Sequence, residues 1–235
     1  MRINKGVVLL SGGADSATLL YYAMVQCHGN NLHALSIDYG QRHKRELDCA
    51  KELCKINNIP HVIIPFDLTV FGGSPLTDTN MAIPKQVDNQ QATTVVPFRN
   101  TLFITLCAAY CKQHDLNTIY IGATYEDLAN YEDCRANFFD SLQNTLRLGG
   151  TVHDLEIKTP FIDAHKYQII KLGYHSFGVP YEHTYTCYLG EEEPCLECDA
   201  CVERIEAFII NGIRDPLVKD DQKWHELELN IMNNN

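Results

Sequence analysis

An apolar stretch near the start of the chain ends in two adjacent glycines. Val7–Leu10 are apolar, Ser11–Ser16 read Ser-Gly-Gly-Ala-Asp-Ser, and an apolar pattern with helical spacing begins directly afterwards. This order predicts a strand, a tight loop and the N-terminus of a helix. Glycines permit positive φ angles, so several backbone N–H groups of such a loop can point at one ligand. A loop of this kind at a helix N-terminus favours phosphate oxygens.

The polar residues of this loop predict a nucleotide site. Ser11 and Ser16 add hydroxyl donors, and the Asp15 carboxylate could bind magnesium or cap the helix. The loop contains no lysine for the β- and γ-phosphates, so it is not a Walker A loop, and its adjacent glycines do not fit G-x-G-x-x-G. An ordinary turn capped by Ser16 is the alternative. The residues expected to bind ATP here are Leu9, Leu10, Ser11, Gly12, Gly13, Ala14, Asp15 and Ser16.

Strand-like and helix-like segments alternate after this loop. Apolar stretches at 32–37, 61–64 and 118–123, and a last short one near 156–161, are separated by segments of helical periodicity. This alternation predicts an α/β fold, a Rossmann-like parallel sheet with helices on both faces. With 235 residues, 45% of them hydrophobic, we expect one such domain over 1–180 and a small C-terminal unit over 181–235. The residues beyond Asp215 are polar, and we expect them to fray.

The overall charge narrows the class of ligand. The formal net charge is −11, which argues against a broad surface for nucleic acid and favours a small, nucleotide-like molecule. The sequence shows neither a signal-peptide pattern nor an apolar run of membrane length. We therefore expect a soluble, cytoplasmic protein without a membrane partner.

Polar residues follow the second predicted strand at the edge of the sheet where ligands bind. Because the carboxyl ends of parallel strands meet at one edge, the phosphate loop and this segment point to the same crevice. A glycine after the fourth strand permits close backbone approach there. These additional candidates for ATP contact are Asp38, Gln41, Arg42, His43 and Gly122, although the segment 38–43 could also be a plain polar loop.

Residues 67–97 are rich in glycine, proline and polar side chains. An irregular segment this long predicts a lid or substrate loop, partly disordered without ligand, with a plain surface insertion as the alternative. Arg99 and Asn100 follow at the start of an apolar helix, where a cation opposes the helix dipole unless an anion is nearby.

A second polar cluster precedes the next helix. Asp127 and Asp133 could accept hydrogen bonds from a guanine-like base, and Tyr131 or Phe138 could stack on it; helix capping by the acids is the alternative. The expected substrate-binding residues are Arg99, Asn100, Asp127, Tyr131, Asp133, Arg135 and Phe138, and the expected catalytic residues are Ser11, Asp15, Ser16 and Arg99.

Four of the ten cysteines lie close together near the C-terminus, namely Cys187, Cys195, Cys198 and Cys201. Four thiolates at this spacing fit a closed tetrahedral site, which predicts one structural zinc ion per chain. An iron–sulfur cluster is the alternative. Cys107 and Cys111 lie in an apolar helix and are expected in the core.

The chain from about residue 7 to 205 resembles the 7-cyano-7-deazaguanine synthase (QueC) family of queuosine biosynthesis. The stretches that carry the resemblance are 11–16, 38–43, 96–100, 131–138 and 186–201. Taken by itself, the stretch 11–16 resembles the PP-loop of N-type ATP pyrophosphatases, a superfamily with the adenine nucleotide alpha hydrolase-like fold. The resemblance implies a homodimer that binds zinc and uses ATP with magnesium.

The activity implied by the resemblance is conversion of 7-carboxy-7-deazaguanine and ammonia to the nitrile. The substrate carboxylate would attack the α-phosphorus of ATP while the loop holds the departing phosphates. Ammonia would then give an amide, and a second activation would remove water.

Three residues depart from the family pattern, and three other functions stay open. Phe98 and Asn130 stand where glycine is usual, and Glu132 stands where proline is usual. The alternatives are a ligase that stops at the amide, an enzyme that modifies tRNA directly, and a non-catalytic nucleotide-binding module.

Overall fold

A five-stranded parallel sheet forms the centre of the protein. The computed structural model describes residues 4–28, 31–82, 94–150 and 152–234. The strands lie in the order β3-β2-β1-β4-β5 and all neighbours are parallel. They are β1 (Gly6–Leu9), β2 (Leu32–Asp38), β3 (His61–Pro65), β4 (Thr118–Tyr120) and β5 (Glu156–Lys158). The predicted α/β class and parallel sheet are confirmed, and the last two strands are shorter than expected.

Helices cover both faces of this sheet, as the alternation of strands and helices predicts. In the described part of the chain they are α1 (Ala14–Gln26), α2 (Arg45–Ile56), α3 (Arg99–Gln113), α4 (Tyr125–Asn130), α5 (Ala136–Gly149), α6 (Lys166–Leu172), α7 (Asp199–Ile210) and α8 (Asp221–Asn234). Short 3₁₀ turns occur at Thr69–Phe71, Glu132–Cys134 and Tyr181–His183, and one π-helical turn follows α6 at Gly173–Phe177.

Alternate residues of the strands supply two hydrophobic cores. Val8 packs with α1, α6, α7 and α8 on one face, whereas Val7 packs with α3 and α5 on the other. Both side chains are fully buried. Because side chains of a strand point alternately to opposite faces, a central strand between two helical layers is apolar at every position.

The C-terminal end of the chain belongs to the first core, so the prediction of a frayed tail is wrong. Residues 221–234 form α8, and Trp224 is only 8% exposed within the core that also contains Ile205 and Phe208. The division of the chain at residue 180 stays a prediction. Within the structure, α7 packs directly on α6 across that boundary.

The expected lid, residues 67–97, is described only over 67–82 and 94–97; its remaining residues lie outside the described part of the chain. Leu68, Ser74, Thr77 and Val96 are buried, so both described ends pack against the domain. The described residues contain no helix that is long and apolar enough to cross a membrane.

Candidate active site

The phosphate loop connects β1 to α1 at the carboxyl end of the central strand. Gly12 has φ +98°, and a Cβ atom on it would lie 2.0 Å from the carbonyl oxygen of Glu46 in α2. The position therefore accepts only glycine, both for its backbone angle and for this close approach. The Ser16 hydroxyl accepts a hydrogen bond from the Gly12 N–H at 3.1 Å and lies 3.0 Å from the Ser11 hydroxyl. The first N–H groups of α1 are then oriented toward the space in front of the loop.

That space is a cavity of about 360 Å³ at the carboxyl edge of the sheet. Its size is in the range of small-molecule sites. The phosphate loop contributes Leu9, Leu10, Ser11, Gly13, Asp15 and Ser16 to its lining. The other expected ATP contacts in the lining are Gln41, Arg42, His43 and Gly122. Two strand ends thus meet at one crevice, as the parallel sheet requires.

Four of the expected substrate contacts also line the cavity, namely Arg99, Asn100, Asp127 and Tyr131. The Asp127 carboxylate accepts hydrogen bonds from the Thr124 N–H at 2.9 Å and the Thr124 hydroxyl at 3.1 Å, so it caps α4 as well. The Tyr131 hydroxyl lies 2.8 Å from that of Thr94.

Six expected site residues lie outside the cavity lining: Gly12, Ala14, Asp38, Asp133, Arg135 and Phe138. Asp38 forms an ion pair with Lys44 at 2.6 Å, and Asp133 accepts a hydrogen bond from the backbone N–H of Asn100 at 3.3 Å. Arg135 donates to the Leu128 carbonyl, and Phe138 packs edge-on against its neighbour Phe139.

A lysine that sequence reasoning missed reaches the phosphate loop from α6. The Lys166 ammonium lies 2.7 Å from the Glu203 carboxylate and 3.5 Å from that of Asp15, and its side chain is buried. Although burial disfavours the charged form, both carboxylates raise the pKa of Lys166 above its usual range. Like Arg99, Lys166 is a cation in the first turn of a helix, which is the sequence signal that could have identified it.

Two carboxylate oxygens in this region are buried without a hydrogen-bond partner among the described residues, Asp15 Oδ1 and Glu126 Oε2. Burial raises the pKa of Asp15, and the charge of Lys166 opposes that increase. Unpaired buried oxygens of this kind fit a hard divalent cation, which takes oxygen ligands. The orphaned oxygen of Asp15 is therefore compatible with magnesium beside the nucleotide phosphates.

Arg42 connects the cavity to the expected lid. Its guanidinium donates to the carbonyl oxygens of Asp78 and Met81, and its backbone N–H donates to the Leu76 carbonyl at 3.2 Å. Its Nε is buried without a partner among the described residues. The arginine thus holds residues 76–81 beside the cavity.

The cysteine cluster lies at the start of α7 and beside the cavity. The sulfur atoms of Cys187, Cys195, Cys198 and Cys201 are all within 4.8 Å of one another, and the Cys195 and Cys201 sulfurs are 3.9 Å apart. A tetrahedral zinc site with bonds of about 2.3 Å places its sulfurs about 3.8 Å apart. The donors present therefore fit a bound metal ion.

The segment around this cluster forms one wall of the cavity. Thr186, Tyr188, Asp199, Ala200 and Glu203 line it, and sequence analysis had assigned none of them to the site. The Tyr185 N–H donates to the Gly12 carbonyl at 3.0 Å. The segment that carries the cysteine cluster is thus in direct contact with the phosphate loop.

Comparison with known proteins identifies the family. The profile described as "Queuosine biosynthesis protein QueC" matches residues 5–212. The chain belongs to this family. A 7-cyano-7-deazaguanine synthase of Thermoplasma volcanium is 41% identical over 220 residues, which cover 91% of this chain and 90% of the relative. The enzyme of the same name from Clostridium kluyveri is 40% identical over 230 residues, covering 94% of this chain and 100% of the relative.

Solved structures with the same fold are more distant in sequence. NMN synthetase from Francisella tularensis matches with a TM-score of 0.52 and 16% identity, covering 99% of this chain and 85% of that chain. The U34-tRNA thiolase NcsA of Methanococcus maripaludis, described with its [4Fe-4S] cluster, matches with a TM-score of 0.50 and 15% identity over 98% and 71% of the two chains. These likenesses support the fold of the QueC-family chain.

Proposed function

We propose that this chain converts 7-carboxy-7-deazaguanine, ATP and ammonia to 7-cyano-7-deazaguanine. The family and the names of the relatives support this reaction. The observation that carries it is the single cavity in which the phosphate loop, Lys166 and Arg99 meet. An anionic substrate and a polyphosphate can share such a cavity, because each has its own cation.

The first step is attack of the substrate carboxylate on the α-phosphorus of ATP. Ser11, Gly13 and Ser16 hold the departing phosphates by hydroxyl and backbone donors, and Lys166, which lies between Asp15 and Glu203, offsets the negative charge of these carboxylates beside them. Arg99 orients the substrate carboxylate toward the phosphorus. Catalysis then depends on position and electrostatics, since the nucleophile and the leaving group both belong to substrates.

The deazaguanine ring occupies the part of the cavity between α3 and α4. Asp127 accepts hydrogen bonds from the donor edge of the base, and Tyr131 stacks on the ring. The Asn100 amide nitrogen donates to Asp133 and Cys134, so Asn100 offers the base its side-chain oxygen as an acceptor. Supporting positions just behind the lining are proposed for Gly12, Ala14, Asp38, Asp133, Arg135 and Phe138. Asp133 positions Asn100 through the hydrogen bond to its backbone N–H.

Two metal ions complete the proposal. Zinc occupies the site of Cys187, Cys195, Cys198 and Cys201 and stabilises the fold without taking part in the reaction. Magnesium, when bound with ATP, supplies charge neutralisation at the phosphates, and Asp15 and Glu126 would hold it. We also propose a cytoplasmic homodimer that binds no nucleic acid, supported by the net charge of −11 and by the likeness to the family.

Mass spectrometry of the products tests this proposal. The purified protein is incubated with 7-carboxy-7-deazaguanine, ATP, magnesium and ammonium, beside an Asp15→Ala variant and an Asp140→Ala variant, whose side chain is exposed on α5. We expect the nitrile from the wild type and the Asp140→Ala variant, and none from the Asp15→Ala variant.

Other products would point to the alternatives. If the amide is the final product, the assignment of the site stands and the function is that of an amide-forming ligase. No turnover in the presence of bound ATP would overturn the substrate assignment. Direct thiolation of tRNA is disfavoured because Cys134 is the only cysteine that lines the cavity in the described part of the chain.

A further inference from the structure

Two carboxyl groups in the cavity, each in the first turn of a helix, have no partner among the described residues. Six acidic residues line the cavity. Asp15 and Glu203 share Lys166, Glu126 accepts hydrogen bonds from the His165 ring and the Lys166 N–H at 3.1 Å, and Asp127 caps α4. Asp199 begins α7, where the helix dipole stabilises a negative charge. The carboxyl groups of Glu46 and Asp199 form no hydrogen bond and no ion pair within 4.0 Å to any other described residue, and Glu46 is the one of the two on which the charge of Arg99 acts.

The backbone fixes where this carboxyl group lies. Glu46 is in the first turn of α2, and its carbonyl oxygen contacts the Gly12 position of the phosphate loop. Across the cavity, Arg99 on α3 is close enough for its charge to act on the Glu46 carboxyl. Glu46 therefore lies between the phosphate loop and the proposed site of the substrate carboxylate.

We propose that Glu46 is the binding site for ammonium and accepts its proton in the amide-forming step. This inference rests on the proposed function, because only an ammonia-using reaction needs such a site. Once ionised, this unpaired carboxyl group would attract a small monovalent cation into the cavity and hold it in position for attack.

The environment of Glu46 suits proton acceptance. Burial raises the pKa of Glu46 to about 8; Arg99 on α3 opposes the increase, and the Cys187 thiolate adds to it. Tyr39, which follows β2, also faces this carboxyl group. A general base works best when its pKa is near the operating pH, so this carboxyl is a better acceptor than an ordinary glutamate.

Proton transfer to Glu46 precedes formation of the carbon–nitrogen bond. One proton moves from ammonium to the Glu46 carboxylate, which leaves neutral ammonia and a protonated carboxyl. The nitrogen lone pair forms a bond to the acyl carbon of the acyl-adenylate, and the carbon–oxygen bond to AMP breaks, with AMP keeping the electron pair. The surplus proton on the new nitrogen passes to solvent, and so does the proton held by Glu46.

A Glu46→Gln variant separates this role from the others, because glutamine keeps the size and polarity but cannot accept the proton. Steady-state kinetics are measured with ammonium and with hydroxylamine, a nucleophile that is already neutral near pH 7. Substrate-dependent exchange of pyrophosphate into ATP, in the absence of any amine, reports on activation alone. Glu52→Gln is the matched control, since Glu52 lies on the same helix and pairs at the surface with Lys55.

We expect the Glu46→Gln variant to lose about 10²-fold in kcat/KM for ammonium. The loss with hydroxylamine should be less than tenfold, and the exchange rate and the KM values for ATP and the carboxylate should stay within twofold. In the wild type, kcat/KM for ammonium should rise with pH as the Glu46 carboxyl ionises, and this rise should be absent from the variant. The Glu52→Gln variant should behave as the wild type does.

Three results would overturn the ammonium site. They are unchanged ammonium kinetics in the variant, an equal loss with both amines, and loss of the exchange reaction, which would place Glu46 in the ATP or carboxylate site. Failure of the proposed function looks different, because the wild type itself would then show no carboxylate-dependent exchange.

Discussion

Phe98 has a backbone conformation that normally favours glycine. Its φ and ψ angles are +57° and +16°, directly before α3, and its side chain is 74% exposed. The left-handed region costs a non-glycine residue about 1 kcal/mol or more, and little packing compensates for it here. Arg99, which lines the cavity, therefore follows a strained residue.

Replacing Phe98 by glycine should stabilise the protein. We expect Phe98→Gly to increase the free energy of unfolding by about 1 kcal/mol, because glycine adopts this conformation without the steric cost of a Cβ atom. Phe98→Ala keeps the Cβ atom and should give no gain. Urea denaturation followed by circular dichroism measures both, and an equal gain for alanine would show that exposure of the phenyl ring, not backbone strain, is the cause.

Glu46 should also make the stability of the protein depend on pH. Its pKa is raised from 4.5 to about 8 by burial, so between these values the folded state holds a proton that the unfolded chain releases. The free energy of unfolding therefore contains a contribution from Glu46 that decreases as pH rises from about 5 to about 8, by at most about 1.4 kcal/mol per pH unit.

The Glu46→Gln substitution should remove this dependence. The quantity to compare is the melting temperature of the ligand-free variant minus that of the wild type. This difference should be larger at pH 8 than at pH 5.5, because glutamine does not ionise. Thermal unfolding at both pH values measures the difference, with Glu52→Gln as the control. A difference that is the same at both pH values would contradict the buried ionisation.

At the scale of elements, the cysteine cluster connects α7 to the phosphate loop. Arg204 on α7 is buried, and its guanidinium donates to both oxygens of Asp215, at 2.7 and 2.9 Å, and to the Thr184 hydroxyl at 2.7 Å. The segment that precedes Cys187 is thus fixed from α7, and the Tyr185 N–H carries the contact on to Gly12. A bound metal ion would hold both ends of this arrangement.

Loss of the metal should therefore weaken both the fold and nucleotide binding. We expect Cys198→Ser to lose the metal and to reduce the free energy of unfolding by about 3 kcal/mol or more, because metal binding contributes to folding directly. Affinity for ATP should decrease as well. Metal content by mass spectrometry, thermal unfolding and ATP titration measure the three effects.

Cys49→Ser is the matched control for this experiment. Cys49 packs against the cluster but is not one of its four grouped sulfurs, so the variant should keep one metal ion per chain. Iron in place of zinc in the wild type would select the iron–sulfur alternative. A Cys198→Ser variant that binds ATP normally would contradict the coupling.

At the scale of the whole molecule, the C-terminal helix completes a core begun by the N-terminal strand. Trp224 in α8 is the only tryptophan of the chain, and it packs in the same core as Val8.

We expect Trp224→Ala to cost about 3–5 kcal/mol of unfolding free energy, measured by circular dichroism in urea. Leu229→Ala, at a 48% exposed position of α8, should stay within about 0.5 kcal/mol of the wild type. Equal effects of the two would show that α8 does not depend on this contact.

Local sequence signals predicted the sheet and the phosphate loop well, because strand periodicity and Gly12-Gly13 act over a few residues. They could not predict that Lys166 lies between Asp15 and Glu203, since these contacts depend on how α6 and α7 pack on the sheet. They also missed α8, whose polar sequence becomes a stable helix only through tertiary packing around Trp224. The sequence therefore predicted the glycine loop and the cysteine cluster, whereas the residues of the cavity wall could be identified only from the folded structure.

The strand order has a consequence for synthesis of the protein on the ribosome. β1 is the innermost strand of the sheet and the first to be made, and its second neighbour, β4, begins only at Thr118. About 110 residues must therefore be translated before that edge is covered, which takes roughly 5–20 s at 5–20 residues per second. During this interval the nascent chain presents one unpaired edge of an apolar strand, which makes it a natural client for chaperones that bind such segments.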